Sequence, residues 1–303
     1  MSTAYYACGK LLITGEYLVL RGARGLALPT SKGQHLTVHS HSDQEAFLEW
    51  RSVDESGKIW FEARFDPALN ILGSTDRIIA DRLGRILHSA RDLNPAFLSH
   101  TEGVHVQTDL EFDRSWGLGS SSSLIASIAQ WAEVDSYDLL QSGFGGSGYD
   151  VMVALARTPI LYQLEESRPK VDKVVFDPPF HESLWFVHTG KKEDSRQAIQ
   201  EFSDISVSQR DIEHISTLSS ELVDTTDLDS FIRILREHDL LLSRILARPT
   251  AMEEHSTYSG GYVKYLGAWG GDFMLVTGAE NDLDHFRSIG MDTIVPFKEM
   301  IRL

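Results

Sequence analysis

The segment Trp116-Gly117-Leu118-Gly119-Ser120-Ser121-Ser122-Ser123-Leu124 joins residue types that handle anions. Glycine has no Cβ, so its backbone can approach a ligand closely. The spacing of apolar residues predicts a helix from about Ser121 to Ala132, directly after the loop. The first N–H groups of a helix lack intrahelical partners and sit at the positive end of its dipole. Serine hydroxyls add donors, or a ligand for Mg²⁺. A strand, such a loop and then a helix suit the triphosphate of ATP. The plainer alternative is an N-capped helix behind a flexible loop, since serine is also a common cap.

Other chemistries lack their residues. No G-x-x-x-x-G-K-[ST] run exists, so the loop is not a P-loop. The H-R-D and D-F-G elements of protein kinases are missing too. Gly143-x-Gly145-x-x-Gly148 matches the dinucleotide fingerprint in form, with Glu165 and Glu166 at about the right distance. It has no clear strand before it and reads as chance. There is no H-E-x-x-H and no cysteine pair to hold zinc. His35, His39 and His41 read as a solvent-facing row on a strand, His238 as a structural helix residue, and Cys8, the single cysteine, as a buried thiol.

The elements that must position these residues alternate irregularly. Tyr5–Leu20 reads as an early hairpin, and Leu36–His39, Phe47–Trp50 and Ile59–Ala63 as strands. Ile78, Ile79, Leu83, Ile86 and Leu87 fall at helical period in 78–93. Val104, Val106, Thr108, Leu110 and Phe112 alternate as a strand does. A second glycine-rich loop, Gly143–Gly148, precedes the apolar segment Val151–Ala156. Prolines at 169, 178 and 179 mark a boundary between domains of 1–170 and 180–303. Beyond it come a strand at Leu184–His188 and helices near 208–224 and 229–246, the latter with Asp229 as candidate N-cap. A third glycine-rich loop, 267–271, then enters the strand Phe273–Thr277. Without a regular βαβ rhythm, the pattern favours α+β over a doubly wound sheet.

The chain has 303 residues, enough for two domains. Its net charge of −16 argues against a nucleic-acid partner, which needs a basic face. No apolar run approaches a membrane span, no signal peptide is visible, and one cysteine suits a reducing cytoplasm.

Four segments in order carry a resemblance. Gly9-Lys10-Leu11-Leu12-Ile13-Thr14-Gly15-Glu16-Tyr17, followed by Gly25–Pro29, is similar to the Gly-Lys-x-x-x-x-Gly-Glu-His/Tyr opening of mevalonate and phosphomevalonate kinases. Gly117–Ser123 is similar to their Gly-Leu-Gly-Ser-Ser phosphate loop. Gly146-Ser147-Gly148-Tyr149-Asp150 looks like the Ser-Gly-x-Asp segment, and Gly148–Met152 nearly matches the Gly-Tyr-Asp-Ile-Ala run that names a bacterial subgroup. Lys264-Tyr265-Leu266-Gly267-Ala268-Trp269-Gly270-Gly271 is similar to Lys-x-Thr-Gly-Ala-Gly-Gly-Gly. The chain thus resembles the galactokinase, homoserine kinase, mevalonate kinase and phosphomevalonate kinase (GHMP) superfamily.

The resemblance implies a two-domain α+β fold, with an N-terminal domain like domain 2 of ribosomal protein S5, a ferredoxin-like C-terminal domain, and ATP in the cleft. It implies Asp150 as general base or acceptor-orienting group and Lys10 as the cation beside it. Gly117, Gly119, Ser120, Ser121 and Ser122 would hold the triphosphate, with Ser121 as a Mg²⁺ ligand. Gly267, Ala268, Gly270 and Gly271 would contact ATP from the second domain. Glu16, Tyr17 and Ser147 would line the acceptor side. Blander readings stay open, with Asp150 capping the next helix and Lys10 solvated on a strand.

Departures sharpen the expectation. Arg114-Ser115-Trp116 stands where a proline usually opens the phosphate loop. Leu266 and Trp269 replace Thr and Gly in the last motif, and Trp269 would crowd that loop. Leu139–Tyr149 holds no acid to serve as a second metal ligand, which tilts the reading from mevalonate towards phosphomevalonate as acceptor. Thr189–Arg196 could offer cations to an acidic substrate or be a solvated loop. The expected protein is a cytoplasmic kinase of a small acceptor, with a homodimer as a further expectation. The rivals are an ATP-dependent decarboxylase, a sugar or amino-acid kinase of the same superfamily, and a non-catalytic nucleotide sensor.

Overall fold

The computed structural model describes residues 2–41, 48–99, 103–191, 195–269 and 271–303. The elements in chain order begin with β1 (Ser2–Leu12), β2 (Gly25–His41), β3 (Leu48–Val53), β4 (Ile59–Phe65) and β5 (Ile71–Ser74). Next are α1 (Arg77–Leu93), β6 (Gly103–Leu110), α2 (Ser120–Ala132), α3 (Ser136–Gly143) and α4 (Tyr149–Ala156). Then follow β7 (Ile160–Glu165), β8 (Arg168–Lys173), β9 (Leu184–His188), α5 (Ser195–Ser203), α6 (Gln209–Val223), α7 (Leu228–Leu246) and α8 (Ala251–Glu254). The chain ends with β10 (Val263–Tyr265), β11 (Phe273–Thr277), α9 (Asp284–Ser288), β12 (Ile294–Pro296) and α10 (Phe297–Met300).

Two compact units emerge. The first comprises Met1–Gly9, Lys32–Arg114 and Leu118–Leu155. The second comprises Lys10–Ser31, Ser115–Gly117 and Ala156–Leu303. The 167–180 stretch, where prolines mark the expected boundary, forms β8 and the loop after it inside the second unit.

In the first unit the strand order is β5–β4–β3–β6–β2. The β3–β6 pair is parallel, with Trp50 opposite Val106, and its neighbours are antiparallel. One face of the sheet buries Leu36, Trp50, Phe61, Phe65 and Val106 against Leu83, Leu87, Ile125 and Ile128 of α1 and α2. Helix α1 starts where Asp76 accepts a hydrogen bond from the Ile79 N–H at 3.1 Å. Its buried stripe is Ala80, Leu83, Ile86, Leu87 and Ala90; Ile78 lies off that stripe and is 67% exposed. The alternation at 104–110 buries Val106, Thr108 and Leu110.

In the second unit β7 and β8 pair beside the first half of β2. A separate antiparallel sheet runs β10–β11–β9–β12. Its connections, with helices after β9 and after β11, give the ferredoxin-like arrangement. Helix α7 is capped by Asp227, whose carboxylate accepts the Ser230 N–H at 2.8 Å; the expected cap, Asp229, is already within the first turn. The buried stripe of α7 holds Phe231, Ile234, Leu235, Leu241 and Leu242, and also His238 and Asp239. The early hairpin is β1 and β2, with a 3-10 turn at Leu18–Arg21 between them. Phe47 lies outside the described residues. No helix among the described residues is long and apolar enough to cross a membrane.

Candidate active site

In the first unit the serine-rich loop becomes the start of α2. Gly119 is its N-cap at φ +85°, and with no side chain it leaves the first-turn N–H groups without a cap. The turn itself holds no acidic residue. Ser121 is exposed there. Ser123 is fully buried and donates to Gln34 Oε1 at 2.9 Å. Ser122 turns inward and donates its hydroxyl to Oδ2 of Asp150. The other oxygen of Asp150 accepts the Val151 N–H at 3.0 Å. Both carboxylate oxygens are therefore engaged, and the helix start and the acid are held together.

Asp150 lies in the first turn of α4, just after Gly148. Gly148 has φ +82°, and a Cβ there would come within 2.7 Å of the Tyr137 ring. A larger residue would have to displace that ring or the turn, and Asp150 with it. Ser147 is buried, 7% exposed.

In the second unit Lys10 on β1 donates from Nζ to the carbonyl of Gly117 at 3.1 Å. Gly117 itself has φ +66°, and a Cβ would fall 2.1 Å from the Asp272 carboxyl carbon. The glycine is required because an acid already fills the space. Asp272 follows the third glycine loop and is held by its backbone, with its N–H on the Lys191 carbonyl at 2.8 Å.

That loop is fixed from several sides. The Tyr17 hydroxyl donates to the Ala268 carbonyl at 2.6 Å. The Trp269 indole N–H donates to the Pro249 carbonyl at 3.0 Å. Trp269 takes φ +58° and points into the core of the unit, 4% exposed. Just before the loop lies a buried polar cluster. Lys264 Nζ is 2.8 Å from Glu16 Oε1 and 2.8 Å from Asp239 Oδ1. Asp239 Oδ2 accepts the Tyr262 hydroxyl at 2.9 Å. The Gly15 N–H lies 2.9 Å from His238 Nε2, Glu16 Oε2 is 3.3 Å from the same nitrogen, and Nδ1 is 3.2 Å from Asp239 Oδ1. Glu16, His238 and Lys264 are completely inaccessible. Burial works to raise the Asp239 carboxyl, but Lys264 and His238 bring it below its ordinary value. Burial likewise works to lower the Lys264 ammonium, and the two carboxylates bring it above its ordinary value. The Tyr262 phenol is pushed up by burial and then by Asp239.

No protein-family model and no curated protein sequence matches the chain. Solved structures do. Mevalonate kinase of Methanococcus jannaschii superposes with a TM-score of 0.68 at 14% identity, covering 97% of this chain and 96% of that one. Phosphomevalonate kinase of Streptococcus pneumoniae, in complex with phosphomevalonate and AMPPNP, gives 0.69 at 14% identity, over 97% and 99%. Lactococcus lactis galactokinase complexed with galactose gives 0.66 at 11%, over 100% and 93%. The fold is that of the GHMP kinases.

Within this GHMP kinase fold the residues chosen from sequence fall into two sets. The first unit brings together Gly119, Ser120, Ser121, Ser122 and Asp150, with Ser147 three residues before the acid. The second holds Lys10 with Gly117, and Glu16 and Tyr17 with Gly267, Ala268 and Gly271. Gly270 lies outside the described residues, as do Lys192, Glu193 and Asp194 of the Thr189–Arg196 stretch. Glu16, expected to line the acceptor side, has its carboxylate on Lys264 in the interior. Trp269, expected to crowd the loop, turns its ring away from it. Sequence reasoning left Lys264 and His238 without a site role and passed over Asp239, Asp272 and the Ser122–Asp150 bond. The signal for two of these was present: Asp239 is an acid on the buried face of a helical stripe, and Asp272 directly follows the glycine loop. The Gly143-x-Gly145-x-x-Gly148 match lies between α3 and α4 with no strand before it, so it is no dinucleotide fingerprint.

Proposed function

We propose that the chain is an ATP-dependent kinase of a small metabolite, with phosphomevalonate preferred over mevalonate as acceptor. One observation carries the reading: an uncapped helix start and an oriented carboxylate are tied directly to each other through Ser122 and Asp150. Phosphoryl transfer asks chiefly for positioning and charge stabilisation, and these are the parts for it. The start of α2 in the first unit fits phosphate oxygens, since its first N–H groups have no side-chain cap. Ser121 is exposed at the same turn and fits as a neutral oxygen ligand to Mg²⁺, an ion that keeps waters and phosphates as its other ligands. MgATP would supply the γ-phosphoryl group. Asp150 would orient the acceptor oxygen and take its proton, with Ser122 and the Val151 N–H fixing its plane. The preference for phosphomevalonate rests on the Gly15-Glu16-Tyr17 form and on the acid-free stretch Leu139–Tyr149. We place the protein in the cytoplasm.

The test is ADP release from MgATP against mevalonate, phosphomevalonate, diphosphomevalonate, homoserine and galactose, with each product identified by mass. Phosphorylated product from phosphomevalonate supports the full reading. Product from another acceptor keeps the kinase and replaces the substrate, whereas CO₂ release would make it a decarboxylase. No acceptor-dependent ADP from any of them counts against the kinase.

A further inference from the structure

Glu16 and Tyr17 stand next to each other in the opening motif, where the resemblance puts them on the acceptor side. Their surroundings are different. Glu16 is completely inaccessible and Tyr17 is 8% exposed. A carboxylate with no exposed surface has no face to offer a substrate. What Glu16 does touch is His238, at 3.3 Å, and Lys264, three residues before Gly267. What the Tyr17 hydroxyl touches is the carbonyl of Ala268 inside the third glycine loop. The Tyr17 ring packs on Phe202 at 5.1 Å between centroids.

The backbone supports the same assignment. Tyr17 holds φ +60°, a conformation that costs a non-glycine residue and persists only where neighbours impose it. Its neighbours do so. The Gly15 N–H is taken by His238, Glu16 by Lys264, and Asp239 binds Lys264 from the far side. The cluster thus fixes both the turn that carries Tyr17 and the end of β10 from which the loop departs. Trp269, through the Pro249 carbonyl, and Asp272, through the Lys191 carbonyl, hold the other end. A loop containing Gly267, Gly270 and Gly271 would otherwise have large conformational freedom to lose when a ligand orders it.

We propose that Glu16 and Tyr17 are positioning residues for the third glycine loop, acting on nucleotide affinity and not on the acceptor. The inference rests on the kinase reading, in which that loop contacts ATP. Preforming the loop lowers the ordering cost of binding, which is how a residue that never touches the nucleotide changes its affinity.

The experiment is calorimetric titration of MgAMPPNP into wild type, Tyr17→Phe and Glu16→Gln, together with acceptor KM and hydrogen exchange at residues 267–269. Tyr17→Phe removes one hydroxyl and keeps the ring, so it folds and tests what the hydroxyl holds, the Ala268 carbonyl included. Loss of that bond should weaken nucleotide binding about five- to tenfold. Amide exchange in the loop should speed up, and acceptor KM should stay within about twofold. Glu16→Gln should move the same quantities in the same direction. A rise in acceptor KM, alone or with the nucleotide effect, overturns the proposal, as does unchanged nucleotide affinity or unchanged exchange. If wild type itself binds no MgAMPPNP, the kinase reading falls and takes this inference with it; normal binding in both variants removes the inference alone.

Discussion

Replacing Lys264 with methionine tests the buried cluster most directly. The ammonium stands 2.8 Å from each of two carboxylates, Glu16 and Asp239, and all three side chains are at most 1% exposed. Methionine matches the stem in length and removes the charge. It leaves two buried carboxylates without their ammonium, with His238 beside both. Removing one partner of a buried ion pair costs about 3–5 kcal/mol, because the remaining charge is uncompensated. Against a typical stability of about 5–15 kcal/mol, that is roughly a fifth or more of the total. At about 2–4 °C per kcal/mol, melting should fall by roughly 6–20 °C. The assay is urea unfolding followed by circular dichroism at neutral pH, read as the midpoint of the transition reporting the second unit. Arg77→Ala, which breaks an exposed pair with Asp81, is the control and should leave the midpoint in place. Adding Glu16→Gln and Asp239→Asn to Lys264→Met should recover part of the loss, since the stranded charges are then gone. A loss below about 1 kcal/mol, or a triple variant less stable than Lys264→Met alone, would show that the cluster is not held by the shared charge.

Four further outcomes follow from the same geometry. Gly148→Ala should cost about 2–5 kcal/mol, from left-handed strain plus a clash with the Tyr137 ring, whereas Gly145→Ala at φ +70° in open space should cost about 1–2; thermal melts of both variants compare them. Stability should be flat around neutrality and fall at both extremes: the lowered Asp239 contributes above the ordinary value of 3.8 and is lost as pH drops through its folded value, while the raised Lys264 contributes below 10.5 and is lost as pH climbs through its own. A denaturation series across pH checks this, and a stability maximum shifted beyond either value contradicts it. Asp150→Ala should abolish turnover with MgAMPPNP binding intact, and Ser122→Ala should lower kcat by about tenfold or more by releasing the carboxylate, with activity and calorimetry as readouts. Trp269→Gly should cost about 2–4 kcal/mol, since the buried indole is worth more than the relief of its strained backbone; equal stability in a melt would place the ring outside the core.

The sequence made some elements plain and hid others for physical reasons. Alternation in 104–110 and a helical stripe in 78–93 were visible because one face of each is buried and the other wet. Strands β9 and β11 read clearly as short apolar runs between polar or glycine-rich segments. β8 was hidden because Arg168-Pro169-Lys170-Val171-Asp172-Lys173 is polar and mostly exposed, with few apolar residues to set a period. α5 and α8 were hidden by shortness. At the site, the loop at Gly117–Ser123 was legible because glycine and serine carry their conformational and donor properties into any fold. The partner of Ser122 was not, because the bond to Asp150 spans 28 positions and depends on how α2 and α4 meet.

Glu16 and Trp269 show why a shared motif does not by itself fix a shared role. Both were read by position in a motif, and both readings put the side chain where ligand should be. A motif specifies the backbone path first. At Trp269 the path needs a left-handed residue, which is why glycine is the usual occupant. A tryptophan can adopt that φ only if something repays the strain of about 1–2 kcal/mol. Burying the indole with its N–H on Pro249 repays it, so the ring turns into the core. At Glu16 the fully buried Lys264 offers a charge that must be paired, and the carboxylate of the opening motif, 2.8 Å away, meets that need. In both cases the energetics of the interior decide the direction of the side chain. Ser121 at the exposed start of α2, and the N–H groups that Gly119 leaves without a side-chain cap, are polar groups that the interior does not claim.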